Sequence, residues 1–193
     1  MQQQIAQICG LDEAGRGPLA GPVVAACVVL RADFPVHLLN DSKKLSEKKR
    51  SVLEALIKEE ALAYAVGLAS AQEIDRLNIL RASMLAMQRA YDKVKQTTAI
   101  TLALVDGNTA PDLDCPTETV VKGDATVPAI MAASILAKQY RDRIMCLCNE
   151  KWPLYGFDRH KGYPTLEHRR LCLTYGLSPI HRRSFSILQG ELF

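Results

Sequence analysis

Two apolar runs near the N-terminus have the composition of neighbouring β-strands. They extend from Ile5 to Leu11 and from Val23 to Leu30, are rich in Ile, Val and Cys, and are separated by a segment of Gly and Pro. The first run is predicted to end at Asp12. Further strands are predicted at Leu62 to Leu68, Ile100 to Val105 and Thr117 to Val121.

Other segments have the periodicity of helices. Ser46 is a suitable N-cap for a helix from Glu47 to Glu60. The other predicted helices are Ile79 to Val94, a long one from Val127 to Asn149, and a shorter one after Thr165 that ends near Gly176. Strands that alternate with helices predict an α/β protein, in which a mixed sheet is flanked by helices and followed by a C-terminal helical segment.

Length and composition agree with one globular domain over residues 1–193, with an irregular tail from about residue 178. The chain is 48% hydrophobic and 23% charged, which excludes a disordered or fibrous protein. The longest nearly apolar stretch, Pro18 to Leu30, is interrupted by Gly21 and Pro22 and is shorter than the roughly 20 residues of a membrane helix. The N-terminal residues lack the pattern of a signal peptide. These features predict a cytoplasmic protein with no membrane partner.

Charge is unevenly distributed along the chain. The formal net charge of +3 does not by itself indicate a nucleic-acid partner. From Lys138 to the end, however, the chain has ten Lys and Arg and only five acids. The preceding residues carry fourteen basic and sixteen acidic side chains. This asymmetry is typical of a chain that gathers carboxylates in its first part and meets phosphates in its last part.

Acidic residues follow or precede predicted elements at three places. Asp12 and Glu13 follow the first strand, Asp106 follows the fourth strand, and Asp124 precedes the long helix. If the fold brings them together, their mutual repulsion favours a divalent cation, and oxygen ligands without a His or Cys set favour Mg²⁺ or Mn²⁺ over zinc. A turn role for Asp106 and a helix-cap role for Asp124 stay open at this point.

Six motifs in the same order resemble the type 2 ribonuclease H family, in its bacterial form, from about residue 8 to about residue 186. They are Asp12-Glu13-Ala14-Gly15-Arg16-Gly17-Pro18, Asn40-Asp41-Ser42-Lys43-Lys44-Leu45, Asp106-Gly107-Asn108, Lys122-Gly123-Asp124, Ala132-Ala133-Ser134-Ile135-Leu136-Ala137-Lys138 with Arg141-Asp142, and His160-Lys161-Gly162-Tyr163-Pro164-Thr165. The resemblance implies a ribonuclease H-like fold and an endonuclease that cuts the RNA strand of RNA/DNA hybrids. It also implies cleavage 5′ to single ribonucleotides in duplex DNA, leaving 3′-hydroxyl and 5′-phosphate ends.

The resemblance further implies a catalytic set of Asp12, Glu13, Asp106 and Asp124 that holds two Mn²⁺ or Mg²⁺ ions. Successive side chains on a regular strand point to opposite faces, so Asp12 and Glu13 reach the same metal only if the strand ends or bulges there. We therefore expect an irregularity in the backbone at these two residues.

Substrate contacts are also implied by the resemblance. Gly15, Arg16 and Gly17 are expected to bind the 2′-hydroxyl and the adjacent phosphate, and Tyr163 is expected to stack on a sugar that lacks a 2′-hydroxyl. A tight turn at the glycines and a packing role for Tyr163 are the structural alternatives. Candidates for phosphate contact are Lys43, Lys44, Ser134, Lys138 and Lys161, and further ones are Lys122, Arg141, Arg143, Arg182 and Arg183, of which fewer than half are expected to touch substrate.

The C-terminal residues resemble the short peptide with which bacterial repair enzymes bind the sliding clamp. Gln189 is followed by the apolar pair Leu192 and Phe193, which could fill a pocket on a partner or fold back on the domain. Two other functions remain as alternatives: a type 1 ribonuclease H, DNA resolvase or integrase, and a non-catalytic module that binds hybrids. Cleavage of DNA that contains one ribonucleotide separates them.

Overall fold

A five-stranded mixed sheet forms the centre of the protein. The computed structural model describes residues 7–39, 42 and 45–187. The strands are β1 (Ile8–Ala14), β2 (Val23–Leu30), β3 (Ala61–Ala69), β4 (Leu102–Asp106) and β5 (Thr117–Val120). They lie in the order β3-β2-β1-β4-β5, with β1, β4 and β5 parallel and with antiparallel pairing of β2 to β1 and to β3. The predicted α/β class is confirmed.

Two strand ends differ from the prediction in a way that matters for the acidic residues. β1 does not end at Asp12, because regular antiparallel pairing with β2 continues as far as Ala14 and Val24. Asp106 belongs to β4, because it still pairs with Val120 of β5. The expected irregularity at Asp12 and Glu13 is therefore wrong, since this ladder has no bulge there.

Seven α-helices occur in the part of the chain that the structure describes. They are α1 (Glu47–Glu60), α2 (Ala71–Leu77), α3 (Ile79–Val94), α4 (Gly123–Thr126), α5 (Pro128–Lys151), α6 (Phe157–His160) and α7 (Leu166–Tyr175). The predicted bounds of α1 and α3 are confirmed, and Ser46 caps α1 by accepting a hydrogen bond from the Lys49 N–H. Helices α2, α4 and α6 were not predicted, because each is shorter than the periodic segments that identify a helix.

Helices cover both faces of the sheet. On one face, Cys9 and Leu11 of β1 pack with α3. On the other face, Ala26 and Val28 of β2 pack with α5 and α1. Helix α5 approaches β1 so closely that a Cβ atom on Gly10 would lie 2.2 Å from the backbone carbon of Ala129. The close contact between β1 and α5 therefore depends on Gly10.

The segment after α7 packs against the loop that follows β1. The Gly21 N–H donates to the Ile180 carbonyl at 2.9 Å, and the Arg182 N–H donates to the Leu19 carbonyl at 2.8 Å. Ala20 and His181 form an isolated antiparallel bridge. Residues 176–187 contain no helix. Among the described residues, no helix has the length and apolarity needed to span a bilayer.

Candidate active site

Three aspartates from separate elements meet at the carboxyl ends of β1 and β4. Carboxylate oxygens of Asp12, Asp106 and Asp124 lie within 4.8 Å of one another. Leu11 and Val105 are paired and belong to the core on the α3 side, so the next residues, Asp12 and Asp106, face α5. Side-chain alternation along each strand and the parallel pairing of β1 with β4 thus bring Asp12 and Asp106 together.

Asp124 reaches this group from α4, the short helix that precedes the long helix α5. Its backbone N–H donates to Oδ1 of Asp106 at 3.1 Å. Lys122 precedes it in the left-handed region, with φ of 60°, and this turn leads the chain from β5 into α4. Asp124 is therefore not simply a helix cap. It lies inside α4, beside two other acids.

Glu13 borders the same cavity but is not a member of the close aspartate group. Its carboxylate accepts a hydrogen bond from Arg16 Nη1 at 3.2 Å. The cavity measures about 280 Å³. It is lined by Asp12, Glu13, Ala14, Gly15, Arg16, Gly17, Ser42, Asp106, Ser134, Lys138 and Tyr163.

Electrostatics at the site disfavour uncompensated negative charge. Burial raises the pKa of Asp12 well above its ordinary value, and the charges of Glu13 and Asp106 raise it further, against a lowering hydrogen bond from Ser134. Burial also raises the pKa of Glu13, although Arg16 opposes this rise. A site of this kind is stable when a proton or a cation neutralises its carboxylates.

The donor set fits a hard divalent cation. Three carboxylates supply oxygen ligands only, and Asp12 and Asp124 are each less than a tenth exposed. Oxygen ligands without nitrogen or sulfur are the preference of Mg²⁺ and Mn²⁺. The sequence-based choice of these ions therefore agrees with the groups that the fold brings together.

The glycine-rich loop and Tyr163 lie on the rim of the acidic cavity. Gly15 has φ of 99°, and a Cβ atom there would lie 2.0 Å from Nε of Arg141, so only glycine fits. A Cβ atom on Gly17 would be 4.0 Å from Cε1 of Tyr163. Tyr163 is 41% exposed, which is more than a core packing role would give.

Ser134 and Ser42 form a buried pair behind Asp12. Their hydroxyl oxygens are 2.8 Å apart, and both side chains line the cavity. Because Ser134 also hydrogen-bonds to Asp12, the pair restrains the orientation of that carboxylate. Sequence reasoning named Ser134 only as a phosphate contact and did not single out Ser42, although both lie in motifs of the resemblance.

The other predicted cations are in different environments. Lys138 lines the cavity and is bound to both oxygens of Asp142, at 2.6 and 2.7 Å. The Lys161 ammonium instead donates to Sγ of Cys146 and to the Asp158 carbonyl. Lys122 and Arg183 are exposed, and Arg143 pairs with Glu54 at 2.6 Å. Lys43 and Lys44 lie outside the described residues, as do Gln189, Leu192 and Phe193.

Arg141 and Arg182, two of the candidates for phosphate contact, are buried away from any phosphate. Their side chains are 0% and 1% exposed, and their guanidinium groups donate to backbone carbonyls. Charge counting along the sequence cannot separate a buried cation from a solvated one. Both side chains lie inside the protein, behind the glycine-rich loop, and bind its backbone or the backbone next to it.

A second cluster of metal-ligand types lies beneath Tyr163. Donor atoms of His168, Cys172 and His181 lie within 4.8 Å of one another. The Ser178 N–H donates to Nδ1 of His181, so the Nε2–H of His181 donates to Nε2 of His168 at 3.0 Å. Nδ1 of His168 in turn donates to the Tyr163 carbonyl at 2.9 Å. Every imidazole nitrogen of the cluster is used in a hydrogen bond, which accounts for the cluster without a metal.

Burial keeps these two imidazoles neutral. It is the largest cause that lowers the pKa of His168 and of His181 to about 4. Because the neutral rings hydrogen-bond to each other and to the Tyr163 carbonyl, the cluster holds the Tyr163 segment against α7. The members of this group are four and nine residues apart, which is not the spacing of a short metal-binding motif, so the sequence gives no signal for it.

Comparison with known proteins agrees with this fold and site. The chain matches the family model described as Ribonuclease HII over residues 9–188. It is 57% identical over 185 residues to the ribonuclease HII of Dechloromonas aromatica, which covers 96% of this chain and 93% of that protein. The ribonuclease HII of Nitrosomonas europaea is 56% identical over 184 residues, which covers 95% of this chain and 84% of that protein.

Solved structures share the architecture. In the PCNA:RNase HII complex from Archaeoglobus fulgidus, one chain matches with a TM-score of 0.74 and 24% identity, over 93% of this chain and 95% of that chain. Bst-RNase HIII in complex with Mn²⁺ matches with a TM-score of 0.74 and 18% identity, over 96% of this chain and 69% of that chain. These two likenesses concern the fold.

Fold, acidic cavity and relatives together define an α/β nuclease of the ribonuclease H type. The predictions of an enzyme and of a ribonuclease H-like sheet are therefore confirmed. The chain belongs to the ribonuclease HII family. The alternatives of a type 1 enzyme, a resolvase or integrase and a non-catalytic module do not agree with this membership.

Proposed function

We propose that this chain is a divalent-metal-dependent endonuclease that hydrolyses the RNA strand of RNA/DNA hybrids and cuts 5′ to a single ribonucleotide in duplex DNA. Its products carry 3′-hydroxyl and 5′-phosphate ends. The proposal assigns the activity to one catalytic domain over residues 1–193, in the cytoplasm, with roles in ribonucleotide excision repair and DNA replication. The observation that carries it is the closeness of the Asp12, Asp106 and Asp124 carboxylates beside a cavity that Asp12 and Asp106 line together with Tyr163 and the glycine-rich loop.

In this proposal Asp12, Asp106 and Asp124 would hold two ions. Glu13 follows Asp12 on a regular strand yet lines the same cavity, and it would complete the ligand set. A pair of Mg²⁺ or Mn²⁺ ions supplies Lewis acidity, which lowers the pKa of an attacking water and stabilises the charge of an in-line displacement. Two features support this assignment: the three carboxylates are close together, with Asp12 and Asp124 buried, and a protein of similar fold has been solved in complex with Mn²⁺.

The remaining residues bind and orient the substrate. Backbone groups of Gly15, Arg16 and Gly17 bind the ribonucleotide, because the missing Cβ atoms let the chain approach the minor groove. Tyr163 stacks on the neighbouring deoxyribose. Phosphates are bound by the candidates that reach the duplex, among Lys43, Lys44, Ser134, Lys138 and Lys161.

The test uses purified protein and a duplex that contains one ribonucleotide, with Mg²⁺, with Mn²⁺ and with a chelator. We expect a cut on the 5′ side of the ribonucleotide only when a divalent ion is present. Asp106→Asn should abolish cleavage and leave the fold intact, because it removes one ligand charge at a strand end. Asp112→Asn, the same change at an exposed position outside the cavity, is the matched control and should cleave normally.

A result in either of two forms would contradict the proposal. One is cleavage that continues in chelator or in Asp106→Asn at the wild-type rate. The other is a wild-type protein that cuts long hybrids but leaves the single ribonucleotide untouched. That result would reject the specificity for a single ribonucleotide but not the nuclease activity.

The proposal includes a partner for the C-terminal residues. We propose that Gln189, Leu192 and Phe193 bind the replication sliding clamp through two apolar anchors and one oriented amide. The structure from A. fulgidus, in which an RNase HII is in complex with PCNA, supports this by analogy. Deleting Leu192 and Phe193 should abolish binding to the purified bacterial clamp without changing cleavage, and unchanged clamp affinity would reject this partner.

A further inference from the structure

The Arg182 guanidinium is buried, and its hydrogen-bond acceptors among the described residues are all backbone carbonyls. Nη1 donates to the Arg16 carbonyl at 2.8 Å, and Nη2 donates to the Gly15 carbonyl at 2.6 Å and to the Pro22 carbonyl at 3.2 Å. Nε donates to the Gly21 carbonyl at 3.0 Å. One side chain therefore holds both ends of the loop between β1 and β2.

Arg141 performs the same task from α5 and extends it to the Tyr163 segment. Its Nε donates to the Pro22 carbonyl at 3.1 Å and its Nη2 to the Ala20 carbonyl at 3.1 Å. Its Nη1 donates to the Lys161 carbonyl at 3.0 Å. The glycine-rich loop and the loop that carries Tyr163 are thus joined through this guanidinium.

These two cations are close to each other and have no carboxylate hydrogen-bonded to them in the described part of the chain. Burial lowers the pKa of Arg182 to about 9, and the charge of Arg141 contributes to this shift. The group is still protonated at neutral pH. Burying two like charges is unfavourable, so the fold keeps them at a cost that carbonyl acceptors only partly offset.

The carbonyl contacts determine where the N–H groups of the same peptides point. In a planar trans peptide, the carbonyl and the following N–H point in opposite directions. Because the Gly15 and Arg16 carbonyls point to Arg182, the N–H groups of Arg16 and Gly17 point away from it. Neither N–H has an acceptor among the described residues, and both residues line the acidic cavity.

We propose that Arg182, assisted by Arg141, is a positioning residue for ribonucleotide recognition. It orients the peptides of residues 15–17 so that the Arg16 and Gly17 N–H groups donate to the 2′-hydroxyl oxygen of the ribonucleotide. Its buried positive charge polarises those peptides and strengthens their donors. This inference rests on the proposed function and adds to it the side chain that enforces the geometry of the loop.

The first experiment measures binding without cleavage. Fluorescence anisotropy in chelator compares two duplexes that differ only in one ribonucleotide against the same deoxyribonucleotide. We expect Arg182→Gln to lower the preference for the ribonucleotide by about tenfold, which is the value of one to two hydrogen bonds, with affinity for all-DNA duplex nearly unchanged. Arg182→Lys keeps the charge but not the planar fork, so it should restore part of the preference.

Arg183→Gln is the matched control. Arg183 is the adjacent residue, is exposed, and makes no side-chain contact with the loop carbonyls among the described residues. If its guanidinium touches a phosphate, the substitution weakens the binding of both duplexes equally and leaves the preference for the ribonucleotide unchanged. Thermal unfolding of each variant shows whether the fold is kept.

A second measurement needs no variant and so does not depend on the folding of Arg182→Gln. Amide hydrogen exchange of the wild-type protein in chelator is compared with each duplex bound. We expect the peptide that contains Arg16 and Gly17 to be protected by the ribonucleotide duplex by at least about tenfold more than by the all-DNA duplex.

The outcomes separate this inference from the proposed function. A wild-type preference that a folded Arg182→Gln keeps would overturn the inference alone. Equal protection of Arg16 and Gly17 by both duplexes would overturn the inference and the proposed binding of the ribonucleotide by this loop, and would leave the nuclease activity standing. A wild-type protein that neither prefers nor cleaves the ribonucleotide duplex would overturn the proposed function and this inference with it.

Discussion

Replacing Asp12 by Asn should raise the thermal stability of the metal-free protein while abolishing cleavage. Asp12 is 5% exposed, and its oxygen lies within 4.8 Å of carboxylate oxygens of Asp106 and Asp124. In the absence of a cation, an ionised Asp12 is therefore repelled by its neighbours and is poorly solvated. Asn has nearly the same shape and no charge, so the repulsion disappears.

The size of the effect follows from the distance. Two unit charges 4.8 Å apart repel by roughly 3 kcal/mol at an effective dielectric constant of about 20. The hydrogen bond from Ser134 to Asp12 is weaker with a neutral partner, which offsets about 1 kcal/mol. A net gain of about 2 kcal/mol corresponds to a rise in Tm of about 4 to 8 °C for a chain of this length.

The gain in stability of Asp12→Asn over the wild type should increase as the pH rises. The pKa of Asp12 is raised in the folded protein, above the ordinary value of 3.8 that applies to the unfolded chain. The folded state therefore holds this proton more tightly, and raising the pH above about 4 removes stability from the wild type until the raised pKa is passed. Asp12→Asn lacks this loss, so the two proteins should differ least at low pH and most above the raised pKa.

The assay is thermal unfolding in chelator at a series of pH values from about 4 to about 8. The same series is then repeated with Mn²⁺. The ion should raise the Tm of the wild type more than that of Asp12→Asn, because the variant lacks one charged ligand. Asp112→Asn, an exposed acid outside the cavity, controls for the loss of one negative charge and should leave the Tm nearly unchanged.

Two results would refute the reasoning. If metal-free Asp12→Asn melts at or below the wild-type temperature at the alkaline end of the series, charge repulsion does not limit stability at this site. If the two proteins differ by the same amount at every pH, the effect does not come from the ionisation of Asp12.

Two further predictions concern other residues. Tyr163→Ala should lower cleavage at a single ribonucleotide at least about tenfold and shift the Tm by less than about 2 °C, because the ring is 41% exposed on the cavity rim; an equal loss of stability would indicate a packing role. Gly10→Ala should destabilise the fold by about 3 kcal/mol or more, because its Cβ would lie 2.2 Å from the Ala129 backbone. Urea unfolding measures that loss, and Gly17→Ala is the comparison, because a Cβ atom at Gly17 has no neighbouring atom closer than 4.0 Å.

Local sequence signals were sufficient for the longer elements. Ser46 as an N-cap and the apolar face that follows it predicted α1, and the spacing of apolar residues predicted α3, with the bounds that the structure has. Ser70 and Glu73 form a capping box that marks the start of α2, so this signal was present although α2 was not predicted. Caps and periodicity act within a few residues, which is why they can be recognised without the tertiary structure.

The sequence by itself determined the α/β class, the main helices and the acids that serve as candidates for metal binding. Only the tertiary structure decided that the carboxylates of Asp12, Asp106 and Asp124 lie close together, because parallel pairing of β1 with β4 and the turn into α4 join residues far apart in the chain. It also decided that Arg182 is an internal brace, since the carbonyls that bind its guanidinium come from residues 15–22. Charge and motif depend on residue type alone, whereas burial and convergence depend on long-range packing.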